Sequence, residues 1–155
     1  MRITYFCFIA AALAGTTGMT LGIYMGIEQD FTLAPAHAHL NLLGWVTMAL
    51  YGLYHRGAPQ DTRALRWVQV ALGGAGFPVF AGGLAVYLHT GHDTLFWLVV
   101  AGSLACLASM VLFVGILIRD AWQLRPAHPQ RRSALGGDRI RHGQPADQRR
   151  LRLEP

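Results

Sequence analysis

Two histidines and an asparagine fall within five residues of each other in the stretch Ala34-Pro35-Ala36-His37-Ala38-His39-Leu40-Asn41-Leu42-Leu43-Gly44-Trp45. A second histidine pair follows in His89-Thr90-Gly91-His92-Asp93. Imidazole ligates haem iron, copper and zinc, and an unpartnered one is costly to bury in an apolar segment, so a ligand site is the functional reading of this pattern. Helical geometry separates the first pair. At about 100° per residue, His37 and His39 point roughly 200° apart once the helix has begun, so they cannot both face one metal. Continuing from His37 gives Asn41, Gly44, Met48, Gly52 and His55, a small and polar stripe suited to close helix packing. Continuing from His39 gives Leu43, Val46, Leu50 and Leu53, a purely aliphatic stripe. A haem needs an imidazole on its iron and aliphatic side chains along its face, and the His39 stripe suits it better.

The elements that hold these residues are apolar and long. The chain is 53% hydrophobic and only 14% charged, the composition of a membrane protein in contact with a lipid bilayer. Four spans are expected, at about 3–27, 36–54, 67–88 and 94–118, making an all-α bundle or arc. A signal peptide ending at Ala12-Leu13-Ala14 is the rival reading of the first, but the apolar run continues through Met25. Gly15, Gly18, Gly22 and Gly26 form a stripe that admits a close neighbour, as do Ala101, Ala105 and Ser109 in the fourth span. The third span holds Pro78 among several glycines, so it is expected to bend or pack tightly near its middle, with Gln69 as its one strongly polar side chain. Pro35 starts the helix that carries the histidines.

Charge sets the orientation. Residues 1–118 carry Arg2, Arg56, Arg63 and Arg66 against Glu28, Asp30, Asp61 and Asp93, so the net charge of +5 resides in residues 119–155. Arginines flank the N-terminus, the loop between spans two and three and the end of span four. By the positive-inside rule both termini are cytoplasmic, and His37, His39, His89 and His92 share the opposite face. In a bacterium the protein would reside in the inner membrane. The Arg-rich tail is expected to be disordered, and its basic balance describes a topology signal and not a nucleic-acid partner. His55 is read as an interfacial residue, and His128 and His142 carry no specific role.

Cys7 and Cys106 lie in separate apolar segments without a CxxC or Cys/His spacing, so they read as packing residues. Phosphate-binding glycine loops, GxSxG elbows and kinase signatures are absent from the sequence.

The segment from Pro35 to Trp45 resembles the second transmembrane helix of the haem-copper oxidase catalytic subunit, above all in the C-type cytochrome oxidase and nitric oxide reductase branch. It is also similar to small four-helix membrane proteins of oxidase subunit I-like type. His39-Leu40-Asn41 matches the family's His-x-Asn motif, whose histidine is an axial ligand of haem b. The resemblance implies haem b at His39, with His37, Asn41, Leu43 and Val46 around it, and a role in electron transfer or diatomic-gas handling; copper is a further option. The family subunit has twelve helices in three arcs of four, a three-histidine copper site and a second haem. One protomer of this chain is too small for terminal oxidase or nitric oxide reductase activity, and the resemblance implies a homo-oligomer, a trimer by analogy, or a subunit of a respiratory complex.

Two other readings compete. A haem-free copper or zinc site formed by His37, His39, His89 and His92 would make a metal-handling protein. A structural or assembly partner would use its histidines only for hydrogen bonds and its glycine stripes as the interface.

Overall fold

The computed structural model describes residues 2–57 and 62–123, apart from the side chain of Thr94, and every described element is helical. In order they are α1 (Arg2–Glu28), α2 (Ala34–His39), a π-helical segment (Leu40–Thr47), α3 (Met48–His55), α4 (Arg63–Thr90), a 3-10 turn (Asp93–Leu95) and α5 (Phe96–Gln123). The basic tail after Gln123 lies outside the described residues. The described residues up to Arg119 form one compact unit.

Local chemistry explains the boundaries. No charge interrupts α1 between Arg2 and Glu28; it stops at Gln29, whose φ of 55° is left-handed. The Asp30 carboxylate then takes the Thr32 amide at 2.9 Å and the Thr32 hydroxyl at 2.6 Å, a side-chain-closed turn that reverses the chain. Pro35 follows in the first turn of α2, where its missing N–H has no partner to lose. Gly91, with φ of 69°, ends α4 and donates its N–H to the Tyr87 carbonyl at 2.8 Å.

Three helices, Arg2–Glu28, Arg63–Thr90 and Phe96–Gln123, are long and apolar enough to cross a membrane. At 28 residues, α4 and α5 each reach about 42 Å, beyond the roughly 30 Å of hydrocarbon. The exterior agrees: Ile9, Leu13, Ile23, Leu104, Leu107 and Val111 are all more than half exposed, whereas Arg66, Gln69 and Ser109 are buried. This inverts the arrangement of a water-soluble domain and is the physical basis for reading an integral membrane protein.

Small residues set the packing. Cβ atoms added at Gly15, Gly18 and Gly22 of α1 would meet the Trp45 ring at 3.2 Å, the Asn41 amide at 2.5 Å and the His37 ring at 3.0 Å. The last glycine of that stripe, Gly26, has nothing within 4 Å and takes no part. Across this interface Gly44 packs on Ala14 and Phe77, and Gly52 on Cys7 and Phe8. The α4–α5 pair is equally close: a Cβ at Gly73 would lie 2.8 Å from the Ser109 hydroxyl, one at Gly76 3.0 Å from the Cys106 amide, and Gly102 abuts the Phe80 backbone. The tight packing expected near Pro78 is therefore found on both sides of it. Cys7, Ala11, Ala14, Met48, Tyr51, Val70 and Phe77 make the core between α1, α3 and α4.

Candidate functional site

The helical stretch bearing His37 and His39 changes its winding where they stand. His39 immediately precedes the π segment Leu40–Thr47, in which i→i+5 bonding widens the turn. Over the eight residues from His37 to Trp45 an α-helix would drift by roughly 80°. Here His37, Asn41 and Trp45 instead all face α1, above Gly22, Gly18 and Gly15. Side chains bond carbonyls at either end of the widened stretch: the Asn41 amide donates to the His37 carbonyl at 2.9 Å, and the Thr47 hydroxyl to the Leu42 carbonyl at 2.8 Å. π segments recur at functional sites.

The two histidines have different surroundings. His37 is wedged against α1, with the Asn41 amide nitrogen 3.5 Å from both ring nitrogens. His39 turns toward α4, where its ring meets Phe80 edge-on at 4.8 Å. Its Nδ1 lies 2.7 Å from the Pro35 carbonyl oxygen. A carbonyl only accepts, so in the neutral imidazole the proton sits on Nδ1 and the lone pair on Nε2. Metal-ligating histidines are commonly held this way, one nitrogen donating to a carbonyl and the other free to ligate. Among the described residues Nε2 has no hydrogen-bond partner.

Of the residues expected around His39, Leu43 borders a cavity with Phe80, while Val46 is 40% exposed on the outer face, continuous with Leu50 and Leu53. From Val46 onward the aliphatic stripe thus looks outward from the protomer. His89 and His92 are exposed at the end of α4 and just beyond it. His89 lies near enough to Asp30 to add a small favourable charge effect to a carboxyl already held below the ordinary carboxylate range, first by the Thr32 hydroxyl and then by the Thr32 amide. No group of three or more His, Cys, Asp or Glu side chains among the described residues converges on a metal position. His37, His39, His89 and His92 form no such group among the described residues, and the helical period of α2 turns the first two apart.

A second polar cluster, at the other end of the bundle, departs from the sequence reading. His55, expected at the interface, is 7% exposed, and Arg66, expected in a loop, is inside α4 at 1%. Arginine only donates, so Nη1 of Arg66, 3.2 Å from Nδ1 of His55, fixes that nitrogen as the acceptor. The His55 Nε2–H then donates to Gln69 Oε1 at 2.9 Å, and the Gln69 amide donates to the Ser109 hydroxyl at 3.2 Å. Ser109 returns its proton to the Gln69 backbone carbonyl at 2.8 Å. Arg66 also donates from Nε to the Thr62 hydroxyl at 2.8 Å and lies over the Tyr54 ring at 5.9 Å. This run of bonds ties α3, α4 and α5 together where the glycines bring them close. The signal was present in the three-residue step from Arg66 to Gln69, which places both on one helix face.

Comparison of the chain with protein-family models, with curated proteins and with solved structures finds no match. The functional reading therefore rests on the geometry and on the short motif that carries it.

Proposed function

We propose that this chain is a haem b-binding integral membrane protein of oxidase subunit I-like type, with Nε2 of His39 as an axial ligand. One observation carries the reading: the Pro35 carbonyl holds the His39 ring at Nδ1 and leaves Nε2 as an unengaged lone pair beside Phe80. The fit is for one axial position. His37 is held against α1, so a second imidazole would come from a neighbouring copy, and the outward Val46, Leu50 and Leu53 stripe below His39 supports an apolar cofactor lying between copies of the chain. Bound there, a haem would supply one-electron chemistry or diatomic-gas binding, according to whether its sixth position is filled.

In this reading the continuous helical stretch of α2, the π segment and α3 is the second of four spans. Arg2, Arg56 and Arg63 lie on the cytoplasmic side with both termini, in a bacterial inner membrane, and the histidines face the opposite side. Nearest-face residues do the protein's share: Pro35 orients the imidazole, Phe80 excludes water from its edge, and Asn41 keeps His37 engaged elsewhere. The test is haem and metal content of the detergent-purified protein. Wild type is expected to retain haem and His39→Ala to lose it at unchanged helicity. Haem-free protein with stoichiometric copper or zinc would replace this reading with the metal-handling one.

A further inference from the structure

A cavity of about 280 Å³ lies between the π segment, α3, α4 and α5, walled by Leu43, Met48, Phe80 and Met110 with the hydroxyls of Tyr51 and Ser109 on one side. Met110 is 40% exposed and the neighbouring Leu107 60%, so the cavity reaches the outer apolar surface past α5. Two other hydroxyls on its wall are turned to carbonyls of their own helical stretches, Thr47 to Leu42 and Ser103 to Val100, each at 2.8 Å.

Tyr51 is the exception. It is 2% exposed, and its oxygen is met by Ser109, 3.5 Å away, and by the Gln69 side chain, whereas its own proton has only the Met110 sulfur at 3.9 Å, against about 2.5–3.0 Å for an ordinary O–H···O bond. The Ser109 proton is directed to the Gln69 carbonyl, and the Gln69 side-chain oxygen is taken by the His55 Nε2–H, so the Gln69 side chain meets Tyr51 as a donor and not as an acceptor. A thioether is a weak acceptor, and a buried phenol normally finds a strong one.

We propose that this cavity binds a flat, lipid-soluble aryl carbonyl compound whose carbonyl oxygen accepts the Tyr51 O–H. The apolar wall selects a lipophilic molecule, and the lateral opening lets it enter from the bilayer. The volume, just below the roughly 300–1,000 Å³ of common ligand pockets, suits one or two fused rings. Phe80, Met48 and Met110 offer aromatic and thioether contacts to a ring face. A lipid acyl chain would leave the Tyr51 proton on sulfur, and a water held by the two inward hydroxyls would occupy only about 30 Å³ and leave most of the apolar volume unfilled. The cavity shares Leu43 and Phe80 with the surroundings of His39, but its hydrogen-bonding group is Tyr51, so its test does not require the cofactor proposed there.

Equilibrium dialysis of the full-length protein in detergent tests it, with 2,3-dimethyl-1,4-naphthoquinone as a probe that does not alkylate thiols and 2,3-dimethylnaphthalene as its carbonyl-free isostere. The quinone is expected to bind saturably, one per chain, and Tyr51→Phe to weaken it about five- to tenfold, the worth of one hydrogen bond. The hydrocarbon is expected to bind wild type more weakly by a similar factor and to be indifferent to Tyr51→Phe. Equal affinity of the quinone for both proteins, equal affinity of the two probes, or unsaturable partitioning typical of an acyl-chain groove would overturn the proposal, as would a water-filled cavity that takes up neither probe. Should Tyr51→Phe fail to fold, Leu107→Trp, which narrows the mouth without touching the hydroxyls, decides: lost binding supports the site and unchanged binding refutes it.

Discussion

Replacing Gln69 by Leu removes the centre of the buried polar chain and keeps the volume nearly constant. The His55 Nε2–H, now 2.9 Å from Gln69 Oε1, loses its acceptor in a place water does not reach, which costs about 1–3 kcal/mol. The lost bond from the Gln69 amide to Ser109 adds about 0.5–1.5 kcal/mol, while Ser109 keeps the Gln69 backbone carbonyl. The sum, about 1.5–4.5 kcal/mol, corresponds to a fall in Tm of roughly 3–18 °C for a chain of this size. Cys7 and Cys106 provide the assay, since Cys7 is fully buried and Cys106 half-buried, and a thiol-reactive fluorophore reports their exposure on heating. The double variant His55→Phe, Gln69→Leu removes donor and acceptor together and is expected to recover part of the loss. A Gln69→Leu midpoint within about 2 °C of wild type would show that the polar chain does not hold α3, α4 and α5 together.

Other expectations follow from the same contacts. Gly18→Val drives a side chain into the Asn41 amide and should destabilise by about 1–3 kcal/mol, whereas Gly26→Ala, in open space, should leave the thermal midpoint unchanged or slightly raised. Thr47→Val removes the hydroxyl bonded to the Leu42 carbonyl, and faster amide exchange across 42–47 than in α3 is the expected readout; unaltered exchange would count against a side-chain role in holding the π winding. The Asp30 carboxyl, depressed chiefly by the Thr32 hydroxyl, should titrate below the ordinary carboxylate range by NMR. Because its folded value is lowered, the turn it closes is intact above the ordinary carboxylate pKa and is lost as pH falls through the folded value, and Thr32→Val should return the titration toward normal.

Most of the architecture was legible because it depends on local quantities. Long uncharged runs become helices, Pro35 starts one and Gly91 ends one, and Gly15, Gly18 and Gly22 mark a close interface. The division of His37 from His39 also followed from helical period alone. What escaped depends on tertiary or winding detail. The π segment Leu40–Thr47 has no composition signal, and it shifts which residues face α1: an α-helical period puts Trp45 off the His37 stripe, yet its ring covers Gly15. Likewise Arg66 counted as a loop charge and His55 as an interfacial residue, because a partnership spanning 14 residues from His55 to Gln69 and 40 from Gln69 to Ser109 is invisible until the helices are packed. Gly26 shows the converse, a residue in register with the stripe that has nothing within 4 Å, because the helix facing it starts only at Ala34.

The central claim is that Nε2 of His39 is a cofactor ligand, and a reduced-minus-oxidised visible spectrum of the purified protein tests it most directly. Wild type and His37→Ala are expected to show sharp α and Soret bands of a b-type haem, and His39→Ala to lose them while remaining helical and monodisperse. Bands that persist in His39→Ala, or that are absent from well-folded wild type, would contradict the account.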